Sequence, residues 1–414
     1  MSQIKRPLEG VKVLELSTFI AAPSCCRYLA DLGAEVIKVE APAGDPLRYT
    51  AYNEGRPMDQ RENTSFDLDN ANKKGITLNT KTPEGREILE QLIAKTDIFV
   101  TNWRPHALQK AALDYDALHA KYPSLVYGIV SGYGQKGPDK DLPGFDFTAF
   151  FARGGILGTL KDKDSVPMLT MPGFGDQQVG MYLASGIIAA LYRAKMTGEG
   201  DQVVVSLFHS ALWITAIMLQ AAQYGQPSAC YPISRSDFDN PLTVCHKTKD
   251  GKWLQIAMPQ YDRHYPAFMK AIGHEEMIDN PKFYPQKNLA PNKQEFYDFL
   301  VEVMASKTRD EWCEILDAAD LPYAKAQTWD EVLKDPQAWG SDCLYEMEYY
   351  NGAKRTLVRT PVMFQESGLP PYKRGPYLGE NTEEVLKDLG YSEEEIAKLI
   401  EDGAACTMDP ALKD

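Results

Sequence analysis

Between residues 11 and 134, short apolar runs alternate with stretches of helical periodicity, and this alternation constrains the fold more than any other feature. VKVLEL (11–16), after Gly10, reads as a buried strand. Pro23 then opens a helix through Tyr28, Leu29 and Leu32, which Gly33 ends. EVIKVE (35–40) is a second strand, and a third lies between Lys74 and Lys81. Thr82-Pro83-Glu84-Gly85 starts a helix with apolar positions at 88, 89, 92 and 93. DIFV (97–100) is a strand, about 105–121 a helix, and SLVYGIVSGYG (124–134) a strand entering a glycine loop. The pattern predicts an α/β domain with an open, mainly parallel sheet, whose ligands bind at the carboxyl ends of its strands.

A long helical pattern follows at 177–197, with small residues at Gly180, Ala184, Gly186 and Ala189 that permit close packing. DQVVVSL (201–207) is a strand and 208–225 a helix. Composition then changes. Residues 226–242, rich in Pro, Ser and Asp, read as a linker. Strands at 243–257 around Lys249-Asp250-Gly251 and helices near 262–272, 293–306 and 309–319 form a smaller α+β region. Residues 322–364 read as irregular, and 382–403 as two short amphipathic helices. The expected division is a first part of a large domain at 1–225, a linker at 226–242 and a small domain at 243–330. Residues 331–414 form a linker and a C-terminal return to the large domain.

The 414 residues include 44 Lys and Arg against 58 Asp and Glu, a formal charge of −14. So acidic a surface repels phosphate backbones and anionic membranes, so neither nucleic acid nor membrane is an expected partner. An anionic ligand needs a local basic pocket. The seven cysteines form no CxxC pair, and Cys25 and Cys26 are adjacent, a pattern of reduced thiols. The N-terminus lacks a signal-peptide pattern and no window holds 18 uninterrupted apolar residues, so the expectation is a cytoplasmic protein.

Several familiar chemistries lack their residues. The loop after the first strand, Ser17-Thr18-Phe19-Ile20-Ala21-Ala22-Pro23, is not GxGxxG, and no GxxxxGK[ST] or GxSxG occurs. The six histidines show no metal-ligand spacing, so no metal is expected. Gly173-Phe174-Gly175-Asp176 is different: a glycine-rich turn delivers a carboxylate to the start of the 177–197 helix. An Asp there is ordinarily an N-cap. The flanking glycines also leave open backbone around it, as a bulky substrate requires. Lys38, Lys73, Lys74, Lys81, Asn102, Arg104 and Lys110 sit in or near the strand ends, where they are solvated or form the required phosphate pocket.

Taken together, LEGVKVLEL…AAPSCCRYLADLGAEVIKVEAPAGDPLR (8–48), KKGITLNTKTPEGREIL (73–89), FVTNWRPHALQKAALDYDAL (99–118), SGYGQKGP…PGFDFTAFFARGGI (131–156), GDQQVGMYLASGIIAALYRAKMTGEGDQVVVSLFHSAL (175–212) and PYLGENTEEVLKDLGYSEEEI (376–396) resemble the class III, CaiB/BaiF-type CoA-transferases, over almost the whole chain and in order. The resemblance implies a Rossmann-like large domain built from both chain ends, a smaller central domain and an interlocked homodimer. It implies no cofactor beyond CoA as co-substrate. It makes Asp176 the nucleophile, with mixed-anhydride and aspartyl-CoA thioester intermediates. Carried over residue by residue, Ile20 and Ala21 lie against CoA, and Leu78 to Lys81 match the adenine-side segment. Asn102 and Trp103 match an Asn–aromatic pair near the pantetheine, with Arg104 beside them. Lys110 matches a phosphate contact, and Asp146 is a second acidic group near the nucleophile.

There are departures. An Arg common after the second strand is Ala41 here, with Arg48 a candidate replacement. The GEHT signature reads Gly379-Glu380-Asn381-Thr382, and 226–242 lacks the glycine loop that guards formyl-CoA transferase. Related racemases carry His in a GHD motif as one of two acid/base groups. Here the motif is Gly144-Phe145-Asp146, and Phe145 carries no proton, which disfavours an α-methylacyl-CoA racemase or epimerase. Within the family the chain is similar to clostridial members that activate (R)-2-hydroxy acids such as 2-hydroxyisocaproate or phenyllactate during amino-acid fermentation, with an enoyl-CoA donor. Bile-acid and carnitine CoA-transferases are the alternative. Phe19, Phe145, Phe147 and Phe150 are candidates for an apolar acyl pocket or for core.

Overall fold

The computed structural model describes residues 6–225, 231–368, 370 and 372–412. Residues 226–230 of the expected linker lie outside the described residues. The chain runs β1 (Lys12–Leu16), α1 (Ala21–Asp31), β2 (Glu35–Glu40), α2 (Ala51–Glu54), α3 (Thr64–Asn70), β3 (Lys74–Leu78), α4 (Pro83–Ala94) and β4 (Ile98–Thr101). Then come α5 (Pro105–Lys110), α6 (Tyr115–Lys121), β5 (Val126–Ser131), a π-helical turn (Asp146–Ala152), α7 (Ile156–Thr159), α8 (Phe174–Thr197), β6 (Gln202–Ser206) and α9 (Leu207–Ile214). The expected 105–121 helix is two helices. Ala112 takes a left-handed φ of 48°, and the Asp114 side chain caps α6 by accepting from Ala117 N.

Seven strands form one sheet in the order β12-β3-β2-β1-β4-β5-β6. β1 to β6 pair in parallel, and β12 (Ala405–Cys406) runs antiparallel along β3. The order 3-2-1-4-5-6 is that of a doubly wound fold, and it reverses between β1 and β4. The carboxyl ends of those two strands therefore flank the crevice where such sheets take ligands. Strands covered on both faces read as unbroken apolar runs, and β4 is buried throughout. α8 approaches closely through its small residues, as its sequence predicts. A Cβ on Gly180 would collide with Ser24 Oγ of α1, and one on Gly186 would lie 2.5 Å from Val203 of β6. Ala189, by contrast, faces away from this packing and is exposed.

Two charged residues in the middle of apolar strands are completely buried. Glu15 of β1 and Lys38 of β2 are register partners and form a 2.8 Å ion pair. The second Glu15 oxygen receives Lys73 at 2.6 Å. Lys38 also reaches Asp45 at 3.0 Å and donates to Ser17 O at 3.1 Å. Lys73 donates to Pro23 O and Asn70 Oδ1. Burial alone would raise the Glu15 carboxyl; Lys38 and Lys73 bring it down to about 2. One carboxylate thus joins β1, β2, the start of α1 and the entry to β3.

A smaller compact unit comprises residues 157–168 and 215–338. It holds α10 (Ala216–Ala221), an antiparallel sheet of β7 (Cys245–Lys247), β8 (Trp253–Ile256) and β9 (Tyr323–Lys325), and α11 (Tyr261–Ala271), α12 (Lys293–Met304), α13 (Arg309–Ala318) and α14 (Trp329–Val332). Its core centres on Tyr261, Tyr265, Phe296 and Trp312. The expected helix at 208–225 is broken at Thr215. The stretch 322–364 is not irregular: besides β9 and α14 it contains α15 (Pro336–Gly340) and the hairpin β10 (Leu344–Glu348) with β11 (Lys354–Val358). The larger unit comprises 1–156, 169–214 and 339–414 and closes with α16 (Thr382–Leu389), α17 (Glu393–Glu401) and β12. Among the described residues no helix is long and apolar enough to cross a membrane.

Replacing Glu15 by Gln strands the buried Lys73 ammonium and leaves Lys38 paired with Asp45 alone. The expected loss is about 3–5 kcal/mol of stability, read from the midpoint of urea denaturation; a loss below about 1 kcal/mol would show that the network does not hold the sheet together.

Candidate active site

The loop leaving β1 sits at the point where the strand order reverses, and it is held from both sides. Asn102, just past β4, accepts from Thr18 N at 3.1 Å and donates to Thr18 O at 2.7 Å. Asp45 Oδ1 accepts from Phe19 N at 3.0 Å. Phe19 adopts a φ of 63°, a conformation a bulky residue enters only when its surroundings impose it. Its ring is 41% exposed and meets Phe145, 53% exposed, edge to face at 6.1 Å. Ile20, the N-cap of α1, lies under Gly173.

α8 starts at Phe174 rather than at 177, with Gly173 (φ 83°) as its N-cap. Asp176 is therefore the third helical residue and not the cap. The capping comes from outside: Asp146 Oδ1, at the head of the π-helical turn, accepts from Gly175 N at 3.1 Å. A Cβ on Gly175 would sit 2.5 Å from that oxygen and collide with Phe150, so this position needs glycine. The turn is supported in turn by the glycine loop after β5, where Gly132 and Gly144 pack backbone to backbone.

The Asp176 side chain is half-buried, and among the described residues no hydrogen bond or ion pair reaches it. Burial first, then the negative charges of Asp146 and Asp69, push its carboxyl up to about 7. Burial likewise pushes Asp146 up to about 6, against the pull of the Gly175, Gly173 and Phe174 main-chain N–H groups. A carboxylate so poorly solvated, at the positive end of a long helix, is disposed to attack an electrophilic carbonyl near neutral pH.

The other expected residues separate into two groups. Lys81, Arg104 and Lys110 are exposed past the carboxyl ends of β3 and β4, and among the described residues none forms an ion pair. Asn102 is fixed as described, and Trp103 is half-buried against the core. Ala21 is buried beneath α8, and Phe147 is exposed. The structure corrects several expectations. Lys38 and Lys73 are consumed by Glu15 and cannot serve a phosphate, and Lys74 pairs with Glu384 at 2.9 Å. Arg48 is no substitute for the missing Arg: buried, it grips Glu40 at 2.6 and 2.8 Å and donates to Pro376 O. The Leu78 side chain lies in the core, so only its main chain can face a ligand, and Phe150 is core too. Asp69 and Gln177 beside Asp176 escaped the sequence reading. FDLDNAN (66–72) has no helical periodicity to show which of its acids points inward. Among the described residues no group of His, Cys, Asp and Glu could hold a metal ion.

A family model described as CoA-transferase family III matches residues 8–382. The chain is 54% identical over 394 residues to a cinnamoyl-CoA:phenyllactate CoA-transferase of Clostridium sporogenes, covering 95% of this chain and 96% of that one. It is 44% identical over 389 residues to an (R)-2-hydroxy-4-methylpentanoate CoA-transferase of Clostridioides difficile, covering 94% and 97%. The crystal structure of a CaiB/BaiF family protein from Brucella suis is similar with a TM-score of 0.80 at 27% identity, over 93% of this chain and all of that one.

The raised pKa of Asp176 carries a stability signature. Its folded value of about 7 lies above the ordinary 3.8, so the folded state binds the proton more tightly and stability falls as pH rises from about 4 through 7. Asp176→Asn removes that loss. The variant should melt at a higher temperature than the native chain at pH 8, with the gap narrowing towards pH 4; thermal unfolding at the two pH values reads it, and an equal gap at both would contradict the assignment.

Proposed function

The chain belongs to CoA-transferase family III and is a CoA-transferase; we propose that it moves CoA from an enoyl-CoA to a free (R)-2-hydroxy acid through covalent chemistry at Asp176. The observation that carries this reading is the Asp176 carboxyl, half-buried at the start of α8 and with no hydrogen-bond or ion-pair partner among the described residues. Ionised, it attacks the thioester carbonyl of the donor and expels CoA as thiolate, giving a mixed anhydride. The thiolate attacks the Asp176 carbonyl, the donor acid departs, and an aspartyl-CoA thioester remains. The acceptor carboxylate attacks that thioester and releases the thiolate, which then takes the acceptor acyl group and returns Asp176 to the free carboxylate. Thioester energy is conserved at every step, so no ATP is consumed. Water must be kept out, since both anhydrides hydrolyse.

CoA runs along the carboxyl edge of the sheet, against Ile20, Ala21, the main chain at Leu78, Asn102 and Trp103. The unpaired cations Lys81, Arg104 and Lys110 meet its phosphates. They supply the local positive charge that a chain of net charge −14 otherwise lacks. Phe19, Phe145 and Phe147 form the wall of the acyl site. The two relatives are named for phenyllactate and for 2-hydroxy-4-methylpentanoate, acids with an aromatic or a branched apolar side chain. The exposed Phe19–Phe145 pair suits either. Phe145 holds no proton, so nothing at this position supports exchange at the α-carbon. Asp146 shapes and charges the site as the external cap of α8.

A dimeric assembly is supported by large apolar side chains left exposed on each unit, among them Trp213 (68%) and Leu169 (96%) on the larger and Ile217 (82%) on the smaller. A cytoplasmic location is supported by six free cysteines among the described residues.

Incubation with cinnamoyl-CoA followed by hydroxylamine tests the chemistry. The thioester should be captured as a hydroxamate, with release of CoA, on the peptide containing residues 173–180, and Asp176→Asn should lose both adduct and at least about a thousandfold of turnover. A hydroxamate on a different side chain, or an active Asn variant, would refute the role of Asp176.

A further inference from the structure

Asp69, near the end of α3, is a second acid beside Asp176 that the motifs do not mark. It is 2% exposed, and its Oδ1 accepts a 2.6 Å hydrogen bond from Nε2 of Gln177, the residue after Asp176. Among the described residues no ion pair reaches it. The two cations that act on it are engaged elsewhere. Lys73 binds Glu15, and Arg27 binds Asp31 together with the main-chain oxygens of Asp67 and Leu68. A buried carboxylate with an amide donor and no cation is unfavourable for folding by itself. Its place, one hydrogen bond from the first turn of α8, gives it a use.

We propose that Asp69 is a positioning residue for the transfer reaction: through Gln177 it fixes the rotation of the first turn of α8, and it sets a buried negative charge beside the Asp176 carboxyl. This rests on Asp176 being the group that becomes acylated. The charged groups acting on the pair are Asp146 on Asp176, and Lys73, Arg27 and Glu15 on Asp69, besides the two acids' action on one another. Burial pushes Asp69 up to about 7 as well, with Gln177, Lys73 and Arg27 opposing. Two carboxylates that repel each other leave Asp176 more basic, and therefore a stronger nucleophile once ionised. Acylation neutralises Asp176 and relieves the repulsion. The device therefore raises the resting state relative to the anhydride and thioester, which carry no charge on that side chain.

The test is the pH dependence of kcat/KM for CoA transfer from cinnamoyl-CoA to phenyllactate, with hydroxylamine trapping alongside. Asp69→Asn keeps the shape and removes the charge. Its acid limb should move down by about one pH unit, and the fraction of enzyme trapped at fixed cinnamoyl-CoA should fall several-fold. Gln177→Leu removes the bond; kcat should fall about tenfold with KM for cinnamoyl-CoA in place. A folded Asp69→Asn with the native limb, while the adduct still forms on Asp176, overturns the role of Asp69 and leaves the nucleophile standing. Should Asp69→Asn not fold, a Gln177→Leu variant with full kcat overturns it instead. An adduct found away from Asp176 in the native protein removes both readings at once.

Discussion

The three-way contact of Glu15 with Lys38 and Lys73 is the constraint on which the rest of the structure depends. Ion pairs at the centre of a parallel sheet are hard to justify by stability alone, because desolvation offsets most of their attraction. What they provide here is geometry. Glu15 accepts from both ammonium groups and from Ser17 Oγ, so all its strong donors come from elements around one crevice. Lys38 passes the constraint to Asp45, which holds Phe19 N, and Lys73 passes it to the first turn of α1 through Pro23 O. α1 in turn packs on α8 at Gly180, within two helical turns of Asp176. Short polar contacts from the sheet interior, completed by the packing of α1 on α8, thus hold the helix that carries the proposed nucleophile.

The electrostatics of the site follow from the same arrangement. The sheet interior uses its cations internally, and the first turn of α8 gathers Asp69, Asp146 and Asp176 with no cation against Asp176. Exposed charge of the opposite sign lies past the ends of β3 and β4, at Lys81, Arg104 and Lys110. The proposed nucleophile and the proposed phosphate contacts are therefore served by separate fields. That separation is what a reaction joining one carboxylate to a highly charged nucleotide thioester requires.

Much of the fold was legible because its signals are local. The strand–helix alternation, the capping box of Ser392 and Glu395, and the small-residue face of α8 all lie within a few residues of where they act. Asp176 was marked as a candidate by its glycines and the family resemblance. What the sequence concealed was partnership at a distance. Lys38 stands in an apolar strand, a visible anomaly, but its partner is 23 positions away and its charge is spoken for. Arg48 looked available for the same reason. Asp146 was noticed as an acid, while its role as cap of a helix beginning 28 residues later depended on the meeting of Gly132 with Gly144. The hairpin at 344–358 was missed: Asn351-Gly352 is a turn signal, but the two short runs it joins are too polar to read as strands.

The last strand has a consequence for how the molecule is made. β12 is two residues long, yet it covers one edge of a sheet whose edge strand, β3, comes from the first fifth of the chain. While the polypeptide emerges from a ribosome, β1 to β6 can assemble with the outer side of β3 unpaired, a row of open amides ready to recruit another nascent chain. The protection arrives only once residues 405–406 have been made. Heterologous production at a high expression level therefore exposes that edge in more copies at once, and a lower level of expression or a chaperone that shields extended segments favours recovery of the native protein.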